Sequence, residues 1–332
     1  MKRSEFIARL LIGAAVLAAI TVPLTLWWRT PLVHARMAED GGWSPEAFKA
    51  TVAQPLHLRL TSDDVVHGFA VGKLDFPAVD VLPGKVTDIT LLFQQPGTYT
   101  FYCTRWCGLN HWRMRGTIEV TGDPVIKQPG GERSEPLYAS LGLDLDAPRS
   151  APLIPAQKPL AAVAEWQLEA ELASFMSVDH YRSHSPYEVW RDLRADPAFA
   201  AQDDARLWEL TAEIWRSNTT LQALAEGEQL FAQNCAACHG EGGAGDGVFA
   251  DDLAAAGKAS LQSMMGNSRM AMQSPARLTD PKRMLDASPA LLQGKILRGG
   301  MGTGMPSWGP IFTEKQTWNL VAYLYSFQFD YR

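Results

Sequence analysis

Two cysteines, a histidine and a methionine fall close together in Cys103-Thr-Arg-Trp-Cys107-Gly-Leu-Asn-His111-Trp-Arg-Met114. Thiolate, imidazole and thioether are soft donors that suit copper, and a structural zinc site would have no use for Met114. A mononuclear blue-copper site uses one Cys, two His and a weak axial Met, whereas two Cys on one loop can both bridge a pair of copper ions. The second Cys therefore selects a binuclear site. That site needs a second imidazole, best presented by an adjoining strand that holds the loop against a rigid scaffold. His67, in Val65-Val66-His67-Gly68-Phe69, is the candidate.

The other two cysteines stand in Asn234-Cys235-Ala-Ala-Cys238-His239-Gly240. Cys-x-x-Cys-His is the attachment signature of c-type haem: two thioethers tether the porphyrin and His239 binds the iron. A thioredoxin-like redox pair would need a βαβ context, and here a helical run from Leu221 to Phe231 precedes the motif. A distal thioether should follow later in the chain. Seven Met residues lie beyond His239, and Met301 and Met305 sit among glycines in Gly299-Gly-Met-Gly-Thr-Gly-Met-Pro-Ser-Trp-Gly, where the backbone can approach a flat ring. Met305, followed by Pro306, resembles the distal-ligand loop of class I cytochromes c, which favours it over Met301. Met264, Met265, Met270, Met272 and Met284 read as packing.

Around the first motif the chain alternates like strands: HLRL (57–60), VVHGFAV (66–72), KVTDITLLF (85–93), GTYTFYC (97–103) and GTIEV (116–120), with Pro-Gly turns at 83–84 and 96–97. Short strands at that spacing predict a small β-sandwich or barrel. Around the second motif the periodicity is helical, at 221–231 and again from Thr313 to Phe327, where Trp318, Val321, Ala322, Leu324 and Tyr325 share a side that would pack on the first helix.

HGF, PGKVT, PGTYTFYC, CxxxCGxNHxxM and RGTIEV resemble the copper A domain of cytochrome c oxidase subunit II, over about residues 55–121. The resemblance implies an all-β cupredoxin Greek-key barrel with a dinuclear copper A centre. In it His67 and His111 bind one copper each, Cys103 and Cys107 bridge, Met114 is a weak ligand and the Arg105 backbone carbonyl supplies the last. The sequence departs from the family at position 105, often a Glu that helps hold magnesium at the subunit I interface; Arg105 cannot bind a cation. It also has one anchor where many relatives have two, and lacks the aromatic-rich segment that often precedes the domain, which is more like the single-anchor, B-type branch. Residues 222–332 resemble an all-α class I cytochrome c domain with covalent haem c held by Cys235, Cys238, His239 and Met305.

The chain has 332 residues, enough for two domains and a connecting region. A net charge of -6 argues against nucleic-acid partners. The acidity is concentrated in residues 123–221, with 16 acids against 9 bases; it could steer a basic donor but equally describes a solvated helix surface. At the N-terminus Lys2, Arg3 and Arg9 precede an uncharged run from Leu10 to Trp28. At about 1.5 Å per residue that run nearly spans a ~30 Å hydrocarbon core. It reads as an uncleaved membrane helix with 30–332 outside the cytoplasm, the alternative being a signal peptide with a weak site at 33–35.

The expected divisions are 1–29 anchor, 30–122 copper A domain, 123–221 linker and acidic helical segment, and 222–332 cytochrome c domain. Within the third, the Pro- and Gly-rich 122–159 reads as a semi-rigid linker, and helices are expected at about 160–178 and at 203–217, the latter capped by Asp203 or Asp204. His180 and His184 could share a helix face as metal ligands, but Ser185-Pro186 interrupts it; His34 and His57 read as surface residues. No internal repeat, nucleophile elbow, P-loop or dinucleotide fingerprint is present.

Together these resemblances imply the electron-input subunit of a haem-copper oxidase. Electrons would pass from cytochrome c or a similar donor through haem c and copper A to subunit I, where dioxygen is reduced. The alternatives are the small copper A subunit of a nitric oxide reductase and a membrane-tethered electron carrier.

Overall fold

Period-two burial in Arg115–Thr121 puts Gly116, Ile118 and Val120 inside while Thr117, Glu119 and Thr121 face out, the pattern of a strand with one solvated face. The same alternation recurs along Leu56–Ser62, where Leu58 and Leu60 are fully buried. In the computed structural model, which describes residues 11–13, 15–17, 30–108, 110–125, 135–161, 172–255, 274–300 and 304–331, the chain divides into two compact units, Met1–Lys127 and Gln128–Arg332.

The described strands of the first unit are β1 Leu32–Ala35, β2 Trp43–Ser44, β3 Ala47–Thr51, β4 Leu56–Ser62, β5 His67–Val71, β6 Val79–Val81, β7 Thr87–Leu91, β8 Gly97–Tyr102 and β9 Arg115–Thr121. They form two sheets, ordered β2-β1-β4-β7 and β3-β9-β8-β5-β6. β1 runs parallel to β4, and β3 parallel to β9. The two sheets make a half-barrel rather than the expected closed barrel, meeting at the isolated bridge between Ser62 and Pro83. One core lies within, built from Val33, Leu58, Leu60, Ile89 and Leu91 on one side and Phe69, Val71, Phe101, Ile118 and Val120 on the other.

Trp43 meets Phe69 and Phe101 edge-on at 5.5 and 5.9 Å between ring centroids. At ~150–250 Å² per ring, each aromatic contributes about 4 kcal/mol or more of gross transfer free energy. Gly116 is required by this packing, because a Cβ there would lie 2.1 Å from Phe101 Cζ. Strands β1, β2, β3 and β6 were not read from the sequence: β2 and β6 run only 2 and 3 residues, and β1 and β3 are set by parallel pairing with β4 and β9 rather than by a local pattern.

The described helices of the second unit are α1 Leu137–Ser140, α2 Val178–Ser183, α3 Pro186–Ala195, α4 Asp204–Ser217, α5 Leu221–Asn234, α6 Ala236–His239, α7 Pro281–Met284, α8 Pro289–Arg298 and α9 Glu314–Tyr325. Each helix from α2 to α5 has a Ser, Thr or Asp N-cap accepting from the backbone: Ser177, Ser185, Asp203 and Thr220. α9 crosses α5 closely at Gly227, where a Cβ would lie 2.2 Å from the Asn319 carbonyl. Trp318 is not part of that seam; Arg182 lies over its ring at 4.1 Å.

Residues 135–161 run along the helices of this unit. Asp146 forks onto Arg298, Ala151 N donates to Lys282 O, and Leu145 packs beside Gly294. α4 joins the same core through Trp215, whose ring meets Tyr325 at 5.6 Å and Phe329 at 5.9 Å.

The anchor expected at 1–29 falls outside the described residues except for 11–13 and 15–17, which are helical. Among the described residues no helix is long and apolar enough to cross a membrane. Most of the helix expected at 160–178 also lies outside them, as do Met264, Met265, Met270, Met272 and Met301.

Candidate metal centre and haem-attachment site

β5 begins at His67, whose side chain is fully buried, and β8 delivers the chain to Cys103 across the same sheet. The loop that follows folds back so that Cys103 N donates to Met114 O at 3.1 Å and Thr104 N donates to Gly68 O at 3.3 Å. Gly68 makes this possible, since a Cβ there would fall 2.0 Å from Thr104 Oγ1. Asn110 turns the loop with a left-handed φ of 63° and donates to Glu39 Oε1 at 2.9 Å. The Trp43 indole N–H donates to Met114 O at 3.1 Å and so fixes the end of the loop.

The ligand atoms of His67, Cys103 and Cys107 all lie within 4.8 Å of one another, the kind of cluster that holds a metal. The two sulfurs are 3.7 Å apart, His67 Nδ1 is 3.8 Å from Cys103 Sγ, the Arg105 carbonyl is 3.3 Å from Cys103 Sγ, and Met114 Sδ is 3.4 Å from Cys107 Sγ. His111 is buried against the same thiol, and its Nδ1 has no hydrogen-bond partner. Of the six residues singled out from the sequence, His67, Cys103 and Cys107 bring their ligand atoms within 4.8 Å of one another, with the Arg105 carbonyl and Met114 Sδ against the sulfurs, while His111 adjoins Cys103 outside that tight cluster.

The thiols titrate unequally. Cys103 is pulled down to about 3, chiefly because the Cys107 thiol hydrogen-bonds to its thiolate; burial opposes this, and His111 and His67 add to it. Cys107 is pushed up by the adjacent thiolate and by burial. A bound metal cation would displace that second proton. For His67, burial is the largest effect and opposes protonation, but hydrogen bonds with Cys103 and Asp64 outweigh it and the net shift is upward.

The donor set fits copper: two thiolates, a thioether, a carbonyl and two imidazoles, one with a buried nitrogen that nothing else satisfies. Sequence reasoning missed the groups behind these ligands. Asp64 accepts from His67 Nε2 at 2.7 Å, and an acid three residues before a ligand His was the available signal. Trp106 lies on the His111 ring at 4.2 Å between centroids, and Asp80 holds Arg105. Trp43, 71 residues from Met114, gave no signal in the sequence.

In the second unit, Cys235 caps α5 and α6 carries Cys238 and His239. Both thiols are free, and burial raises them, to about 12 for Cys235 and about 11 for Cys238. His239 Nδ1 pairs with the Ala276 carbonyl at 2.9 Å, which leaves Nε2 for a metal; burial holds the ring's pKa down, favouring the neutral ligand form. Gly247 keeps the following loop against the motif, because a Cβ there would lie 2.3 Å from Ala237 O. These donors fit a tethered haem. Met305 is partly buried, and its loop is strapped to α8: Gly300 N donates to Met305 O, Ser307 Oγ to Leu297 O and Trp308 N to Ile296 O. His180 and His184 stack at 4.0 Å, with no third metal-binding group beside them among the described residues.

Residues 47–121 match the family described as cytochrome C oxidase subunit II, periplasmic domain, and residues 222–324 match cytochrome C oxidase, cbb3-type, subunit III. Two separate stretches of the chain are thus similar to these two families. The chain is 38% identical over 79 residues to cytochrome c oxidase subunit 2 of Thermus thermophilus, a match covering 24% of this chain and 58% of that one. Over 121 residues the chain is 35% identical to the subunit 2 of Candida albicans, covering 35% of this chain and 46% of the relative. It thus spans about half the length of these curated relatives. Among solved structures, the periplasmic domain of subunit II (CoxB) of Bradyrhizobium japonicum is similar at 25% identity and a TM-score of 0.22, over 23% of this chain and 55% of that one.

Proposed function

We propose that this chain is the electron-input subunit of a membrane-bound haem-copper respiratory oxidase, with its two soluble domains outside the cytoplasm. A dinuclear copper A centre and a covalent haem c, when bound, supply one-electron transfer from a cytochrome c-like donor towards subunit I, which reduces dioxygen. The observation that supports this reading is the clustering of His67, Cys103 and Cys107, with the Arg105 carbonyl and the Met114 thioether against the sulfurs.

The protein's own residues do the positioning. Cys103 and Cys107 present both sulfurs to the same point, as bridging requires. Asp64 fixes the tautomer of His67, directing Nδ1 at the sulfurs. Trp43 holds Met114 at the end of the loop. In the cytochrome domain, Ala276 orients His239, and Gly299 and Gly304 take the left-handed φ that turns the backbone on either side of the approach to Met305. With both groups bound, these residues would fill the metal positions and leave none for substrate, which would place dioxygen chemistry in another polypeptide.

The test is gas consumption by the membrane complex isolated through this chain, with reduced cytochrome c as donor. Fast dioxygen uptake with negligible nitric oxide turnover is expected. Nitric oxide turnover without dioxygen uptake would assign both domains to a nitric oxide reductase, and neither activity would leave a tethered electron carrier.

A further inference from the structure

Arg105 occupies the middle of the loop between the two bridging cysteines, and its guanidinium is more than half exposed. It nevertheless makes a two-point fork with Asp80: Nε donates to Oδ1 at 2.8 Å and Nη2 to Oδ2 at 2.9 Å. Asp80 is the central residue of β6, directly opposite Gly68 of β5, and the next pair in that ladder is His67 with Val81. The loop returns to the same strand through Thr104 N and Gly68 O. A closed ring of contacts thus runs from the Arg105 carbonyl, 3.3 Å from Cys103 Sγ, through the guanidinium to Asp80, across the ladder to the strand that carries His67, and back to the loop.

Thr104 is partly buried and Arg105 and Trp106 are exposed, so contacts rather than burial hold this part of the loop: Thr104 N on Gly68 O, Trp106 on the His111 ring, and Arg105 on Asp80. A bidentate fork restricts both the distance and the angle of the group it holds. It also pairs a positive charge that would otherwise stand beside the metal.

We infer that Asp80 is a positioning residue of the metal centre: through the Arg105 fork it sets where the Arg105 carbonyl stands relative to the sulfur pair. This rests on the copper reading above. The residue type at 105, which cannot itself bind a cation, then has a structural use within this chain.

The test uses the full-length, detergent-solubilised chain loaded with copper, in the wild type and as Asp80→Asn, Arg105→Lys and Asp80→Glu. A wild-type chain without a two-copper spectrum would overturn the copper reading itself, whatever the variants did. With that spectrum present, D80N and R105K are each expected to change the visible bands and the copper hyperfine splitting. Each should also speed copper loss to a chelator by about three- to tenfold, below the ~10–100-fold typical of groups behind metal ligands because both partners are half-exposed. D80E can re-form the fork and should return towards wild type. Because the pair is at the surface, the thermal midpoint should hardly move. R105K leaves β6 untouched and keeps the test decisive if D80N fails to fold. Wild-type spectra and release rates in both D80N and R105K would overturn the inference. So would a change in D80N alone, since R105K keeps the charge and loses only the fork.

Discussion

Nε2 of His67 lies 2.7 Å from Oδ1 of Asp64, while Nδ1 of the same ring faces Cys103 Sγ at 3.8 Å. Asp64 is itself fixed by the backbone N–H groups of Met37 and Val65. A carboxylate behind a ligand imidazole sets its tautomer and orientation, and losing one typically costs ~10–100-fold in metal affinity. Asp64→Ala is expected to weaken copper binding by that order in a chelator competition while the chain still folds. Unchanged affinity would show that His67 is held by other means.

Cys103→Ser should abolish the two-copper signature, because one bridging sulfur is gone, whereas Met114→Leu should keep the copper and shift its reduction potential. Absorption spectra and redox titration of the two variants read this out. Persistence of the wild-type spectrum in C103S would contradict the ligand assignment.

Gly68→Ala would place a methyl carbon 2.0 Å from Thr104 Oγ1 and 3.2 Å from Arg105 Cγ. Relieving that overlap means lifting the loop from β5, at a cost of about 1–3 kcal/mol. A lowered thermal midpoint together with poor copper loading is expected; a stable variant that loads normally would mean the loop adapts.

In the cytochrome domain, Met305→Ala should remove the methionine-to-iron charge-transfer band and leave the haem covalently attached through Cys235 and Cys238. Loss of that band in Met301→Ala alone would transfer the role to Met301.

Glu213, in α4, is 8% exposed, and its Oε2 is buried without a hydrogen-bond partner. Burial raises its pKa above the ordinary carboxylate value. An acid whose folded pKa is raised binds its proton more tightly when folded, so its share of stability is present below the unfolded pKa and lost as pH rises through the folded one. Glu213→Gln should therefore match wild type in acid and gain on it towards neutral pH, by on the order of 1 kcal/mol. Thermal midpoints from pH 4 to pH 7 measure the difference, and parallel curves would refute it.

The ligands themselves could be read from the sequence because soft donors at short spacing leave few chemistries open: Cys103, Cys107, His111 and Met114 share one loop. The strands carrying alternation, such as β4 and β9, were legible for the same reason that they are half-buried. What was not legible depends on pairing at a distance. β1 joins β4 in parallel, β3 joins β9 in parallel, and Trp43 reaches Met114, and none of these leaves a local pattern. The stretch 135–161 looked like a linker because its prolines and glycines lack periodicity. Its contacts are single anchors, such as Asp146 on Arg298 and Leu145 beside Gly294, which composition cannot show.

The most direct test is the electron paramagnetic resonance spectrum of the full-length chain loaded with copper, with metal content measured on the same sample. The expected result is two coppers per chain and a hyperfine pattern from one unpaired electron shared equally by two copper nuclei. A single copper per chain, with the pattern of one isolated nucleus, would contradict the binuclear site and the electron-input role built on it.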